Sequence, residues 1–170
     1  MVGRVVLSIR ERFLAFGPEQ VVQVVGALAR CGVDAWVAGG WGVDALLGRQ
    51  TRRHGDLDLI AAGNLTKARA CLEALGFRLV ARDIAAGTAF PDRVLFQDSR
   101  GRWIDLHPLQ DAAIPAANNT FRLAPADVTV GAVAGCPVPC LSAQYQWRLL
   151  QQGHPLHESD RHHIERLRES

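Results

Sequence analysis

Apolar side chains along this chain recur at two spacings, and the switch between them marks out alternating helices and strands. After Gly17-Pro18, apolar residues stand at 21, 22, 25, 28 and 29. That is helical spacing; proline is tolerated in a first turn and Gly32 can end the segment, so a helix is predicted over 18–31. Asp34-Ala-Trp-Val-Ala-Gly is short, apolar and stopped by Gly39-Gly40, which suits a buried strand. Residues 41–47 are long enough for two helical turns, closed by Gly48. Beyond a basic link at 49–54, Asp56-Leu-Asp-Leu-Ile-Ala alternates polar with apolar, the mark of a strand. Asn64 then caps a helix through Leu75 that Gly76 ends. Strands are predicted at 77–81, 93–97 and 102–107, the last entered through an Asp98-Ser-Arg-Gly turn.

From 108 to 141 proline, alanine and glycine are frequent, and short strands are expected at 121–123 and within 128–138. Ser142 caps a helix running to 152, with Tyr145, Leu149 and Leu150 as its apolar positions. A last helix over 158–168 buries Ile164 and Leu167. No internal repeat or low-complexity segment is visible. The order αβαβαβββ favours an α+β fold, a mixed sheet with flanking helices and C-terminal helices. With 170 residues, 48% of them hydrophobic, the chain can bury one substantial core. One domain is therefore expected over 1–170, its core at 18–141 and its C-terminal helices at 142–168.

Charge narrows the partners. A net charge of +2 with 21% charged residues suggests no nucleic-acid partner, and a small molecule is expected instead. The first residues lack the apolar stretch of a signal peptide, and the apolar run from Cys31 to Gly48 is broken by Asp34 and Asp44, so no membrane span is expected. Four cysteines form no disulfide framework, which points to a reducing cytoplasm.

Three aspartates carry the candidate chemistry. Asp56 and Asp58 are two apart on a predicted strand, so both side chains leave the same face with Cα atoms about 6.5 to 7 Å apart. Such a pair can share magnesium, a hard cation that keeps part of its shell for phosphate oxygens. Alone, Asp-x-Asp is commonly two solvated residues at a strand end. The upstream Gly39-Gly40, between a strand and a helix, changes that weighting: glycines leave backbone N–H groups open, and a helix start favours an anionic triphosphate. By itself Gly-Gly reads as a tight turn. Asp105, in Trp103-Ile-Asp-Leu-His-Pro, lies among apolar residues and needs a partner. It can accept the proton of an attacking hydroxyl, hold metal, do both, or pair with an arginine.

Other constellations are weaker. Cys136-x3-Cys140 with His154, His157, His162 and His163 has poor spacing for zinc. The four tryptophans read as core or cleft wall; Trp41, just after the glycines, is placed to support a phosphate loop.

Gly39-Gly-Trp-Gly-Val-Asp44 followed by Thr51-Arg-Arg-His-Gly-Asp-Leu-Asp58 resembles the short bacterial antibiotic nucleotidyltransferases, the lincosamide and aminoglycoside 2''-adenylyltransferase-like families of the DNA polymerase β-like superfamily. Ile104-Asp-Leu-His-Pro108, Val138-Pro-Cys-Leu-Ser142 and Glu158-Ser-Asp160 extend the likeness from about Val37 to the end of the chain. It implies a polymerase-β-like core, Mg²⁺, ATP as the usual donor and a hydroxyl acceptor on a drug. Carried over, Asp56 and Asp58 hold metal and Asp105 is the base. Gly39 and Gly40 contact the triphosphate, with Trp41 beside them at the nucleotide site, and Arg53 and His54 neutralise phosphate. A homodimer is implied as well. Where similar enzymes carry a further acidic residue in the last helix, this chain has His163. The stretches 81–93 and 110–118 match poorly and are expected to shape the acceptor pocket. A lincosamide is favoured, with an aminoglycoside or a protein, as in antitoxins of the superfamily, as alternatives.

Overall fold

An amphipathic stripe sets the first helix. The computed structural model describes residues 15–84, 92–109, 123–152 and 156–169. Helix α1 (Pro18–Arg30) starts on its proline and buries Val21, Val24, Val25, Ala27 and Leu28, one face of a helix with period 3.6. Strand β1 (Asp34–Val37) follows, and α2 (Gly39–Leu47) begins two residues earlier than the apolar pattern indicates. Gly39 is the reason. Its φ of +59° turns the chain from strand into helix without a linker, a conformation that a residue with a Cβ adopts only at a cost. The double glycine is thus the first turn of the helix and not a connection ahead of it.

Strand β2 (Asp56–Ala62), α3 (Leu65–Ala74), β3 (Phe77–Ile84), β4 (Asp92–Asp98) and β5 (Trp103–Leu109) complete the expected αβαβαβββ order. The Asn64 side chain accepts from the Thr66 and Lys67 amides at 2.8 and 3.3 Å, the cap its position predicts. β3 runs past the expected 81 because its antiparallel ladder with β4 continues to Ile84↔Asp92. After a short 3-10 turn at Pro125–Asp127, the 128–138 region forms a hairpin of β6 (Val128–Val133) and β7 (Cys136–Leu141). Its turn carries positive φ at Ala134 and Gly135, the backbone that a two-residue hairpin loop requires. Leu123 is not in a strand; the rest of the strand expected at 121–123 lies outside the described residues. So do 85–91 and 110–122, which hold most of the expected acceptor loops. Ser142 caps α4 (Ala143–Gln151) by accepting from the Tyr145 amide at 3.3 Å, and α5 (Glu158–Glu169) follows.

The strands form one seven-stranded mixed sheet in the order β3-β4-β5-β2-β1-β7-β6. β2 runs parallel to β5 and β1 to β7, while the other neighbours are antiparallel. The fold is α+β. Along β2, Leu57 and Leu59 turn one way, into the cluster formed with Leu28, Leu72, Phe96, Ile104 and Leu106. Asp56, Asp58 and Ile60 turn the other way, and Ile60 packs with Tyr145 and Leu149 of α4. The sheet therefore has a closed core face and a second face free to carry chemistry at one end. No described helix is long and apolar enough to cross a membrane.

Leu57 separates the two faces in sequence, between Asp56 and Asp58, and is fully buried. Leu57→Ala is expected to lower unfolding free energy by about 2–5 kcal/mol, the range for truncating a packed core leucine. Urea unfolding followed by circular dichroism measures it.

Candidate active site

The parallel pairing of β2 with β5 places Asp58 directly opposite Asp105, and Asp56 opposite Trp103. Residues in parallel register share a face, so the two carboxylates are neighbours although 47 positions separate them in sequence. His107, two residues beyond Asp105, joins them: ligand atoms of Asp58, Asp105 and His107 all lie within 4.8 Å of one another. The His107 Nε2 atom is 3.6 Å from Asp105 Oδ1. Arg93, on the adjacent β4, donates from Nε to Asp105 Oδ2 at 2.6 Å, and its Nη2 also pairs with that oxygen. Asp105 Oδ1 is buried and has no hydrogen-bond partner among the described residues.

So much negative charge in one place shows in Asp58. Burial first, then the charges of Asp56 and Asp105, push its pKa well above the ordinary carboxylate range, against the pull of Arg93 and Arg52. Asp105 and the neighbouring Asp56 and Asp58 reciprocally hold the Arg93 guanidinium more firmly protonated, chiefly through its hydrogen bond to Asp105.

The amino end of α2 abuts this patch. The Ala38 amide donates to the Asp58 carbonyl at 3.0 Å. A Cβ at Gly39 would meet the Asp58 carboxylate, with Cγ only 2.9 Å away. A Cβ at Gly40 would collide with the His54 ring and with Arg52 Nη2, 2.7 Å away. Both glycines are therefore required by close approach. The first amides of a helix have no intrahelical acceptor and carry its positive pole, so donors and carboxylates face one space.

Behind the glycines lies a buried network. His54 Nε2 is 2.5 Å from Asp44 Oδ2, and Asp44 Oδ1 accepts from the Thr51 hydroxyl at 2.6 Å and from the Thr51 amide at 3.1 Å. The His54 ring lies 4.7 Å from the Trp41 ring. Trp41, His54 and Arg53 differ in what they face. Trp41 is 2% exposed, so its indole belongs to the core and only its backbone stands at the helix start. His54, also 2% exposed, faces Asp44 and the interior. Arg53 is exposed, while Arg52 reaches Gly40 and pairs with Asp160.

Arg52, Arg93, His107, Asp44 and Asp160 went unassigned by the residue patterns. A period-2 reading carried back from Asp58 through Asp56 and His54 arrives at Arg52 rather than Arg53. The same reading carried forward from Asp105 arrives at His107. Arg93 and Asp160 meet the site only through sheet order and a distant helix, which leave no local signal.

A glycine-started helix beside paired carboxylates on neighbouring strands, set in this mixed sheet, is the arrangement that the nucleotidyltransferase resemblance of the motifs implies. The family model described as aminoglycoside-2''-adenylyltransferase matches residues 20–167. The chain belongs to that family of antibiotic-modifying nucleotidyltransferases. A lincosamide resistance protein of Staphylococcus haemolyticus is 28% identical over 143 residues, 80% of this chain and 84% of the relative. A 2''-aminoglycoside nucleotidyltransferase of Klebsiella pneumoniae is 32% identical over 122 residues, 71% of this chain but 64% of the relative. Among solved structures, the lincosamide adenylyltransferase LnuA bound to lincomycin shares the fold with a TM-score of 0.69 and 24% identity. The match covers 91% of this chain and 98% of LnuA.

The raised Asp58 pKa has a signed consequence. A carboxyl whose folded pKa exceeds its unfolded value favours the folded state only while protonated, so this contribution is full below the ordinary carboxylate range and is lost as pH rises through the raised value. Metal-free Asp58→Asn is therefore expected to melt higher than wild type at neutral pH, with the gain shrinking towards pH 4. Thermal unfolding across pH checks this, and a variant less stable than wild type at pH 7 contradicts it. Gly39→Ala combines strain at positive φ with a clash against Asp58, and its melting temperature is expected to fall by several degrees, as for a loss of about 1–2 kcal/mol.

Proposed function

We propose that this chain moves a nucleoside monophosphate from a nucleoside triphosphate, ATP as donor, onto a hydroxyl of a small-molecule antibiotic and releases pyrophosphate. The observation that carries this reading is Asp58 and Asp105 in register beside the amino end of α2. The donor set fits a hard divalent cation: two carboxylates, a buried oxygen at Asp105 Oδ1 that accepts no hydrogen bond among the described residues, and an Asp58 whose pKa stays raised despite Arg93 and Arg52. Asp56 and Asp58, with Asp105 beside them, would hold Mg²⁺, which when bound neutralises charge on the attacking and leaving oxygens.

The residues of the chain supply the rest. Amides at Gly39, Gly40 and Trp41 bind the triphosphate, and Arg52 adds a cation at the same end of α2. Arg93 holds Asp105 by Oδ2, which orients Oδ1 to receive the proton of the acceptor hydroxyl. The hydroxyl oxygen bonds to the α-phosphorus, the bond from that phosphorus to the bridging oxygen breaks, and pyrophosphate departs in line.

A lincosamide is the favoured acceptor. The relative with the fuller mutual coverage is named a lincosamide resistance protein, and a net charge of +2 ill suits a polycationic aminoglycoside, which an acidic surface would attract. The aminoglycoside reading has its own support in the family model and the 32% identity. Modification of a protein is the third outcome. One domain over 1–170, cytoplasmic and homodimeric, completes the reading.

The deciding assay measures pyrophosphate release from MgATP with a panel of lincosamides and aminoglycosides, alongside labelled ATP with cell lysate. Turnover on lincosamides supports the reading; labelling of lysate protein with no drug turnover replaces it. Asp56→Ala, Asp58→Ala and Asp105→Ala are each expected to lower the rate by roughly 10²- to 10³-fold or more with circular dichroism unchanged. Chelation should abolish turnover and added Mg²⁺ restore it.

A further inference from the structure

Helix α5 reaches the site through one residue. Asp160 is fully buried, 108 positions from Arg52, yet both of its oxygens accept from Arg52 Nε at 3.1 Å and Oδ2 also accepts from Nη2 at 2.5 Å. Arg52 Nη1 donates to the Arg53 carbonyl at 3.0 Å. A guanidinium has five N–H donors. Nε, one hydrogen of Nη2 and one of Nη1 are thus engaged, which leaves one on each Nη directed elsewhere. Nη2 lies where a side chain at Gly40 would stand, at the first turn of α2, and the arginine side chain keeps 30% of its surface open. The charge is also close enough to Asp58 to counter its burial.

A bare docking role explains this poorly. Apart from Asp160, Ile164 is the buried residue of α5, and an ion pair with a fully buried carboxylate is an inefficient way to fasten a helix because desolvation offsets much of the Coulombic gain. What a bidentate carboxylate does well is fix the plane of a guanidinium.

We propose that Asp160 is a positioning residue: from the C-terminal helix it holds the Arg52 fork over the amino end of α2, so that the two remaining N–H groups meet the triphosphate. Asp160 acts in this way only if the triphosphate lies at α2 as proposed above. The C-terminal helix is then part of the nucleotide site although it touches no substrate. Binding, rather than the chemical step, carries the effect.

The test is a double-mutant cycle on the full-length protein, with affinity for a Mg-bound non-hydrolysable ATP analogue read by calorimetry. Asp160→Asn is expected to weaken binding roughly tenfold, as loss of orientation does, and to raise the KM for ATP with kcat little changed. In an Arg52→Ala background the same substitution should change affinity less than twofold, because the group it positions is gone. An undiminished penalty without Arg52, or wild-type affinity in Asp160→Asn, overturns the inference while leaving the transferase reading intact. Failure of the wild-type protein to bind the analogue overturns both. Should Asp160→Asn not fold, Asp160→Glu, which keeps the charge and shifts it by one methylene, runs the same cycle with the same criteria.

Discussion

Two like charges forced side by side organise this molecule. Asp58 and Asp105 occupy paired positions on parallel strands, and unit charges about 4 Å apart repel by roughly 4 kcal/mol at an effective dielectric constant of about 20. The register that imposes it is set by the leucines and isoleucine on the opposite face, where Leu57, Leu59, Ile104 and Leu106 are fully buried. A one-residue slip would turn those side chains out of the core. Core burial thus holds the repulsion in place, and Arg93 and Arg52 counter it among the described residues.

The same constraint explains the glycines. A helix can present its amides to the carboxylates only if its first turn comes within contact of Asp58, and at Gly39 and Gly40 any side chain would occupy the space held by Asp58, His54 and Arg52. Trp41 and the Asp44–His54–Thr51 network then brace that turn from behind. Of the residues expected to touch phosphate, His54 and the Trp41 indole are in this way buried behind the glycines. Buried polar networks serve in this manner when each member is satisfied.

Distance along the chain is no guide to distance from the site. The patch draws on β2, β4, β5, α2 and, through Asp160, α5. The chain belongs to a family whose relatives are named for two chemically different classes of drug, lincosamides and aminoglycosides, so fold membership does not by itself specify an acceptor.

By itself the sequence determined the element order, most helix and strand limits, the caps at Asn64 and Ser142, and the pairing of Asp56 with Asp58, because periodicity and capping are local properties read within a few residues. It also determined the family through the spacing of its glycines and aspartates. Which cations answer those aspartates was decided by tertiary structure alone. Arg93 rather than another arginine meets Asp105 because β4 lies next to β5, and Arg52 rather than Arg53 stands at α2 because α5 brings Asp160 to meet it. Sheet order and helix docking are sums of many weak contacts across the whole chain, and no local stretch of sequence contains them.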